Sequence, residues 1–392
     1  MPILILTCLY VILKPLYFWS SGLPQISDIV LALAFLILLI TTNKDKRKLT
    51  DEIKNNKKFF IFLFFVCLIN LIYSIIYLDA SFLNGSLFFI FDAIGIIIFA
   101  YLFRNEEKSF LFIQRSFKIA LLMQFIFLIT GIGTMYGGCR YMGTFNDPNQ
   151  FAYFCLLSYS FIHLLEQKIQ SEKNTNFLFL LLTIFLIIES ASTGMLLGIS
   201  IFIVGYVVNF FKFFRANIKK FIAPLFLGGV VIVLGVCFYN MKPHDTKISD
   251  IIDDFTIIER LEGKFNTVED DNNGSLWEER GYDRMWLYPQ YLIFGAGSSR
   301  TSRFIKARHQ NELHASLPSI WFCYGLIPLI ILCRYLYEKF KKAGAGKIVY
   351  LALILESFTL INYRQVLFWA IFVLGEFIVI KNNNKKLEIR NA

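Results

Sequence analysis

Long hydrophobic runs separated by short polar segments dominate this sequence, and they restrict the chain to few kinds of fold. A helix of about 20 mainly apolar residues is needed to cross a bilayer core about 30 Å thick, because only a helix satisfies its own backbone hydrogen bonds in lipid. The composition agrees, since 56% of the 392 residues are hydrophobic and only 17% are charged. The pattern predicts an all-α, polytopic membrane protein.

Twelve hydrophobic runs are candidate transmembrane helices, and the seventh and eleventh are the weakest. The first run contains Lys14 and Pro15 and could be a signal peptide, but it continues past them and lacks a small-residue cleavage site. We interpret it as a helix. The runs cover residues 3–19, 26–42, 59–78, 82–103, 119–135, 151–165, 177–188, 195–211, 221–239, 317–335, 348–361 and 366–380.

Lysine and arginine are concentrated in alternate polar segments, and short cytoplasmic segments carry such an excess. With the amino terminus inside, the basic segments 44–58, 104–118, 168–173, 212–220, 334–347 and 381–390 all face the cytoplasm. The net charge of +10 then reflects topology and the anionic inner leaflet, and it gives no support to a nucleic-acid partner. Residues 1–239 are expected to form helices 1–9, residues 240–316 one large extracytoplasmic loop, and residues 317–392 helices 10–12 and a cytoplasmic tail.

The net charge of the large loop changes sign along its length. Its first part, residues 244–279, is acidic, contains His244 and includes a predicted helix around residues 248–261. Its second part is basic. Clustered arginines at a membrane face suit a phosphate, because guanidinium binds oxygen pairs bidentately; alternatively, they pair with the acidic half of the loop. The cluster consists of Arg280, Arg284, Arg300, Arg303, Lys306 and Arg308.

A second polar segment, residues 140–150 (RYMGTFNDPNQ), lies between two apolar runs on the outer side. Polar residues kept at a membrane boundary indicate binding or chemistry. Asp147 and Pro148 also fit a helix start, with Asp147 as the cap, but that role does not explain Arg140. Asn146 and Asn149 are candidates for substrate contacts or for a structural motif.

His314 is the strongest candidate for a general base, because it follows Glu312 closely and lies next to the arginine cluster. A carboxylate can orient the ring and stabilise the imidazolium; alternatively, His314 is an interfacial histidine at a helix start. The glycines of residues 295–299, Gly295 and Gly297, mark a bend where backbone amides could approach an anion.

A histidine base, several arginines and an outward-facing membrane site together suggest transfer of a group from a lipid diphosphate to a hydroxyl. Arginines can neutralise the leaving group without a metal. The sequence contains no DxD, HExxH or P-loop motif, and its seven cysteines show no metal-ligand spacing. No metal and no cofactor are expected.

Four blocks resemble the O-antigen ligase and polymerase superfamily, bacterial membrane enzymes that act on undecaprenyl-diphosphate-linked glycans. The blocks are RYMGTFNDPN from residue 140, STGML from residue 192, GYDR to FGAG in residues 281–297, and ELHAS from residue 312 followed by YGLI from residue 324. Their order around one large loop also matches, so the likeness covers roughly residues 140–329. The sequence departs from the family pattern at Ala315 and at Ser192 and Thr193.

The resemblance implies a GT-C-type helical glycosyltransferase fold and a metal-independent, inverting transfer. It implies a Wzy-type polymerase of O-antigen or capsular polysaccharide in the bacterial inner membrane, with its active site facing the periplasm. Undecaprenyl-diphosphate-linked oligosaccharides would be donor and acceptor, and membrane lipids, a flippase and a chain-length regulator would be further partners. By position, the resemblance implies Arg284 (or Arg280) and Arg140 for the diphosphate and His314 as the base. The residue pattern adds Glu312 to the catalytic candidates and Arg280, Arg300 and Arg303 to the candidates for binding the diphosphate.

Two alternatives stay open from the sequence. A ligase would attach finished glycan to lipid A core or to a protein. A flippase or transporter for the same lipid would need charges near the bilayer midplane, and the candidates for such charges are few: Asp92, Glu356 and Glu376.

Overall fold

The computed structural model describes residues 1–19, 24–42, 46–169, 173–216, 278, 280–308 and 312–378, and these are mostly helical. Three helical segments are long and apolar enough to cross a membrane, namely Lys57–Tyr77, Ala80–Asn105 and Lys108–Thr130. Several shorter apolar helices accompany them. The predicted ninth span, the acidic half-loop with His244 and its helix, and the cytoplasmic tail lie outside the described residues.

Fifteen α-helices occur in the described part of the chain, and they are numbered in chain order. They are α1 Pro2–Leu13, α2 Ile26–Thr42, α3 Lys46–Asn55, α4 Lys57–Tyr77, α5 Leu83–Asn105, α6 Lys108–Thr130, α7 Pro148–Ile169, α8 Lys173–Glu189, α9 Thr193–Ala216, α10 Asp283–Leu287, α11 Gln290–Phe294, α12 Ser316–Tyr324, α13 Leu326–Lys342, α14 Lys347–Glu356 and α15 Val366–Ile378.

Several helices differ from the hydrophobic runs that predicted them. Helix α1 ends at Leu13, because Pro15 has no N–H to donate to the carbonyl four residues before it. Helix α6 begins at Lys108, well before the predicted residue 119. The predicted tenth span is two helices, α12 and α13, separated at Gly325, whose φ is 78°.

A short β-hairpin precedes α7. Strand β1 (Thr134–Tyr136) pairs antiparallel with β2 (Arg140–Gly143). The turn contains Gly137 and Gly138, both with positive φ, a conformation that glycine adopts without steric cost. The hairpin is followed directly by the segment that leads into α7, so it fixes the position of Arg140.

Helix α15 lies at the centre of the packing and contacts α5, α7 and α13. It is apolar on all sides and almost entirely buried, which is typical of a core helix. Trp369 is fully buried, and its indole N–H donates to Asp92 on α5 at 3.0 Å and to the carbonyl of Tyr363 at 2.7 Å. These contacts fix the start of α15 and the connection that precedes it.

The ion pairs of the described residues form two groups at opposite ends of the long helices. Helix α4 illustrates this, because Lys58 at its start pairs with Glu338 whereas Asp79 just beyond its end pairs with Arg300. We call the two regions the basic end and the site end. The basic end also contains Met1–Glu106, Arg104–Glu52, Lys339–Glu376 and Lys342–Glu376, and the site end Lys14–Asp28, Arg308–Glu278 and Arg364–Glu312.

Candidate functional site

Asp147 is the amino-terminal cap of α7. Its Oδ1 accepts hydrogen bonds from the backbone N–H groups of Asn149 at 2.8 Å and Gln150 at 3.0 Å, with Pro148 as the first helical residue. The predicted cap is therefore confirmed. The neighbouring Asn146 is exposed and donates through Nδ2 to the carbonyl of Trp19 at 3.3 Å.

Arg140 is fixed by polar contacts at the site end. Its Nε donates to the carbonyl of Ser190 at 3.0 Å and its terminal nitrogen to Asn149 Oδ1 at 3.2 Å. Ser192 donates to the same Asn149 oxygen at 3.0 Å. Asn149 therefore joins the hairpin to the turn before α9, and Arg140 is held within two residues of Asp147.

The basic half of the loop folds back onto the turn that follows α14. Arg280 donates to the carbonyl of Thr359 at 3.0 Å, and Tyr282 donates to the carbonyl of Phe358 at 3.0 Å. The backbone N–H of His314 donates to the carbonyl of Arg280 at 3.1 Å. A hydrogen bond thus joins Arg280 and His314, which are 34 positions apart in the sequence.

Arg284 is buried next to this crossing, with 2% of its surface exposed. Its guanidinium lies 5.4 Å from the ring centroid of Phe304. Burial lowers the pKa of Arg284, and the carboxylate of Asp283 opposes that shift; the guanidinium still stays charged at neutral pH. A buried permanent cation beside an open groove is suited to bind an anion.

His314 is an exposed residue among charged side chains from three parts of the chain. Partial desolvation lowers its pKa below the usual 6.5; Arg280 and Arg284 lower it further, while Glu312 and Asp147 raise it. The ring is therefore mainly neutral at pH 7, the form a general base needs. The charges of Arg280, Arg284 and Asp147, which come from two distant parts of the chain, thus act on one imidazole.

Glu312 does not hydrogen-bond to His314 in the part of the chain that is described. Its carboxylate instead accepts from the terminal nitrogen of Arg364 at 2.8 Å. Arg364 lies between α14 and α15, in a connection that the predicted topology places outside. A lone arginine in a short outward connection is the signal that could have identified it, because the charge bias puts such residues inside.

Residues 362–365 are anchored to the segment that carries His314. The backbone N–H of Asn362 donates to Ser316 Oγ at 2.6 Å, and the backbone N–H of Ser316 donates to the carbonyl of Ser357 at 2.7 Å. The ring of Tyr363 stacks on Phe89 with centroids 5.1 Å apart. These contacts hold Arg364 in a fixed position relative to His314.

Arg300 and Arg303 are engaged away from His314. Arg300 forms an ion pair with Asp79 at 3.0 Å. Arg303 donates to the carbonyl of Ala296 and lies within 6 Å of the ring centroids of Tyr73, Tyr77, Phe82, Tyr291 and Phe304. These contacts show that both side chains hold the loop in place, and their role at the diphosphate stays a prediction.

The glycine run also has its amides occupied. The N–H groups of Ala296 and Gly297 donate to the carbonyl of Cys323 at 3.0 and 2.8 Å, and the N–H of Ser298 donates to Asn70 at 3.2 Å. Gly295 has a φ of 81°, and a Cβ there would lie 2.7 Å from the carbonyl oxygen of Cys323. Gly295 and Gly297 thus permit two backbones to cross closely, and the amides expected to approach an anion cap the end of α12 instead.

A small groove, partly open to solvent, lies beside Arg284. Its wall combines two arginines, one carboxylate, hydroxyl groups and aromatic rings. Among the described residues no group of three or more His, Cys, Asp or Glu could hold a metal ion. The groove is lined by Arg284, Gly297, Ser298, Ser299, Thr301, Phe304, Glu312, Leu313, Ser319, Phe322, Cys323, Tyr363 and Arg364.

No protein-family model and no curated protein sequence matches this chain.

Proposed function

We propose that this protein is a polysaccharide polymerase of the bacterial inner membrane, a GT-C-type enzyme with about twelve transmembrane helices. It transfers a growing O-antigen or capsular glycan from undecaprenyl diphosphate to the terminal hydroxyl of the next lipid-linked repeat unit. The observation that carries the proposal is the backbone hydrogen bond between His314 and Arg280, with the charge of Arg284 acting on the same imidazole.

The proposed chemistry needs a base and a cation in one site. Neutral His314 takes the proton of the acceptor hydroxyl as its oxygen attacks the anomeric carbon of the donor sugar. The bond from that carbon to the diphosphate oxygen breaks, and undecaprenyl diphosphate leaves. Arg280 and Arg284, joined by Arg140 as the resemblance implies, stabilise the negative charge on the leaving group, and such electrostatic stabilisation is usually the largest single contribution to catalysis.

The few buried acids that the transporter alternative would use each contact a neighbouring group through one carboxylate oxygen. Asp92 accepts from Trp369, Glu356 accepts from Thr359 at 2.8 Å, and Glu376 pairs with Lys339 at 3.1 Å. The two groups of ion pairs support the proposed alternation of the segments, since most pairs join segments that the sequence assigns to one face of the membrane. Lys14, Asp28 and Glu376 lie within predicted spans.

The test compares glycan ladders from cells that carry single substitutions. His314→Ala removes the base. Arg284→Lys keeps a positive charge but loses the planar guanidinium that can bind two oxygens at once. We expect His314→Ala to lower polymer by at least about a hundredfold, because a general base contributes 10²–10⁴-fold. Arg284→Lys should also lower it, because the leaving group loses a bidentate contact, and in both variants single lipid-linked units accumulate.

Arg308→Ala is the matched control, because Arg308 belongs to the same loop but is exposed and paired with Glu278. Immunoblots of membranes check that every variant is present at the normal level. Long chains in both His314→Ala and Arg284→Lys cells would refute the assigned roles. A deletion strain that still makes lipid-linked polymer and fails only to attach it would identify a ligase instead.

A further inference from the structure

The groove beside Arg284 contains a cation that the proposed reaction does not use. Arg364 lines it together with Glu312 and Tyr363, whereas His314 is not part of its wall. We propose that Arg364 is a phosphate-binding residue, which exchanges its carboxylate partner Glu312 for the diphosphate of a polyprenyl-diphosphate ligand. This inference rests on the proposed function and adds a binding residue to it.

The guanidinium of Arg364 retains capacity for further hydrogen bonds. One terminal nitrogen donates to Glu312 at 2.8 Å and approaches the Tyr363 hydroxyl at 3.4 Å. The Nε atom is buried and has no hydrogen-bond partner within the described ranges. A guanidinium carries five N–H donors in a planar fork that matches the oxygens of a phosphate.

Aromatic rings orient this fork. The guanidinium carbon lies 5.2 Å from the ring centroid of Phe88 and 5.5 Å from that of Tyr363. Such stacking contacts the flat face of the group and leaves its edge available for donation. Because residues 362–365 are anchored to Ser316, little conformational freedom remains to be lost when an anion binds.

The charges of the groove favour an anion. Arg284 and Arg364 supply two positive charges against the one negative charge of Glu312. The pair is partly open to solvent, with the side chain of Arg364 29% exposed and that of Glu312 42% exposed. A partly exposed ion pair contributes little net free energy, whereas a bidentate arginine–phosphate contact is a strong interaction. Replacement of Glu312 by a phosphate as the partner of Arg364 is therefore favourable.

Glu312 in this arrangement competes with the ligand for Arg364. Removal of Arg364 and neutralisation of Glu312 consequently have opposite effects on diphosphate binding. A merely structural ion pair would behave differently, because loss of either partner would disturb the groove in the same direction. This difference in sign separates the two explanations.

The experiment measures binding of farnesyl diphosphate to the full chain in nanodiscs by titration calorimetry. We expect the Kd to rise about tenfold in Arg364→Ala, since one charged contact is lost, and to fall about threefold in Glu312→Gln. Arg308→Ala should bind like the wild type. Arg364→Lys, which keeps the charge but not the fork, tests the same point if the alanine variant does not fold.

A parallel titration with inorganic pyrophosphate distinguishes a lipid ligand from a free anion. Binding of pyrophosphate without binding of farnesyl diphosphate would overturn the lipid assignment. Equal binding by wild type, Arg364→Ala and Arg364→Lys would overturn the inference and leave the proposed function intact. Weaker binding in Glu312→Gln would also overturn it. No binding of either compound by the wild type would refute both proposals.

Discussion

The imidazole of His314 lies among charges of both signs that come from different elements. Arg280 and Arg284 are in the basic half of the loop, Glu312 is two residues away, and Asp147 caps α7. The pKa of His314 therefore depends on tertiary contacts that join the hairpin segment to the loop. Substitutions at the flanking charges should change it in directions that the structure fixes.

We expect Arg280→Gln to raise the pKa of His314, because a positive charge that disfavours the imidazolium is removed. Asp147→Asn should lower it, because a negative charge is lost while asparagine still caps α7. Only the neutral base is active, so the acidic limit of activity moves to higher pH in the first variant and to lower pH in the second. The pH dependence of diethyl pyrocarbonate modification at His314, read by mass spectrometry, measures both shifts.

Shifts of the same sign in the two variants, or none in either, would contradict this description of the site. Asp147→Ala serves as the control for the cap, since it should destabilise the protein by about 1 kcal/mol where Asp147→Asn does not.

The sequence identified the residues of the site whose chemistry is unusual for their position. Arg280 and Arg284 were singled out because arginines in a segment predicted to lie outside conflict with the charge bias, and His314 because it follows Glu312 beside them. Arg364 was missed because it is a single residue in a short connection. Arg300 contacts Asp79, and Arg303 contacts aromatic rings that include Tyr73 and Phe82. These partners are more than 200 residues away in the sequence, so no local pattern could reveal them.

At the scale of elements, hydrophobic length predicted the presence of helices better than their ends. Helix α2 has the predicted limits, whereas α6 extends back to Lys108 and the tenth span is divided. Hydropathy could not show the division, because one glycine in an apolar run does not by itself end a helix. Gly325 ends α12 because the backbone of residues 293–295 passes so close to it that there is no room for a Cβ.

Gly325→Ala should therefore destabilise the protein strongly. A Cβ at Gly325 would lie 2.5 Å from the carbonyl oxygen of Ile293 and 2.8 Å from the nitrogen of Gly295. Backbone atoms cannot move aside, so we expect a loss of more than about 2 kcal/mol from positive φ and overpacking combined. Thermal unfolding followed by fluorescence-detected size exclusion measures the loss.

Gly131→Ala is the matched control, because Gly131 also has positive φ (71°) but nothing lies within 4 Å of its Cβ position. It should lose only about 1 kcal/mol from its backbone conformation. Equal melting temperatures for the two variants would show that the crossing at Gly325 is not tightly packed.

For the whole molecule, the alternation of basic segments is compatible with the contacts between distant parts of the chain. The partners of an ion pair are up to 280 residues apart, and most pairs among the described residues join segments assigned to one face. The fold class was accessible because lipid permits few structures. The number of spans and their orientation stay predictions.

Cys139 tests the orientation directly. It is a free, exposed cysteine in the turn between β1 and β2, at the site end. We expect a membrane-impermeant maleimide to label it in intact spheroplasts, with the label lost in Cys139→Ser. Labelling that requires permeabilised membranes would place the hairpin, and His314 with it, in the cytoplasm.

The hydrogen bonds between Ser316 and residues 357–362 require these two segments to change together during evolution. Residues 312–316 and the turn after α14 form one unit, although α12, α13 and α14 separate them in the chain. A chimaera that exchanges either segment alone with that of a homologue would break these hydrogen bonds. Recombination should thus preserve the two segments together, and a graft that folds must exchange both of them.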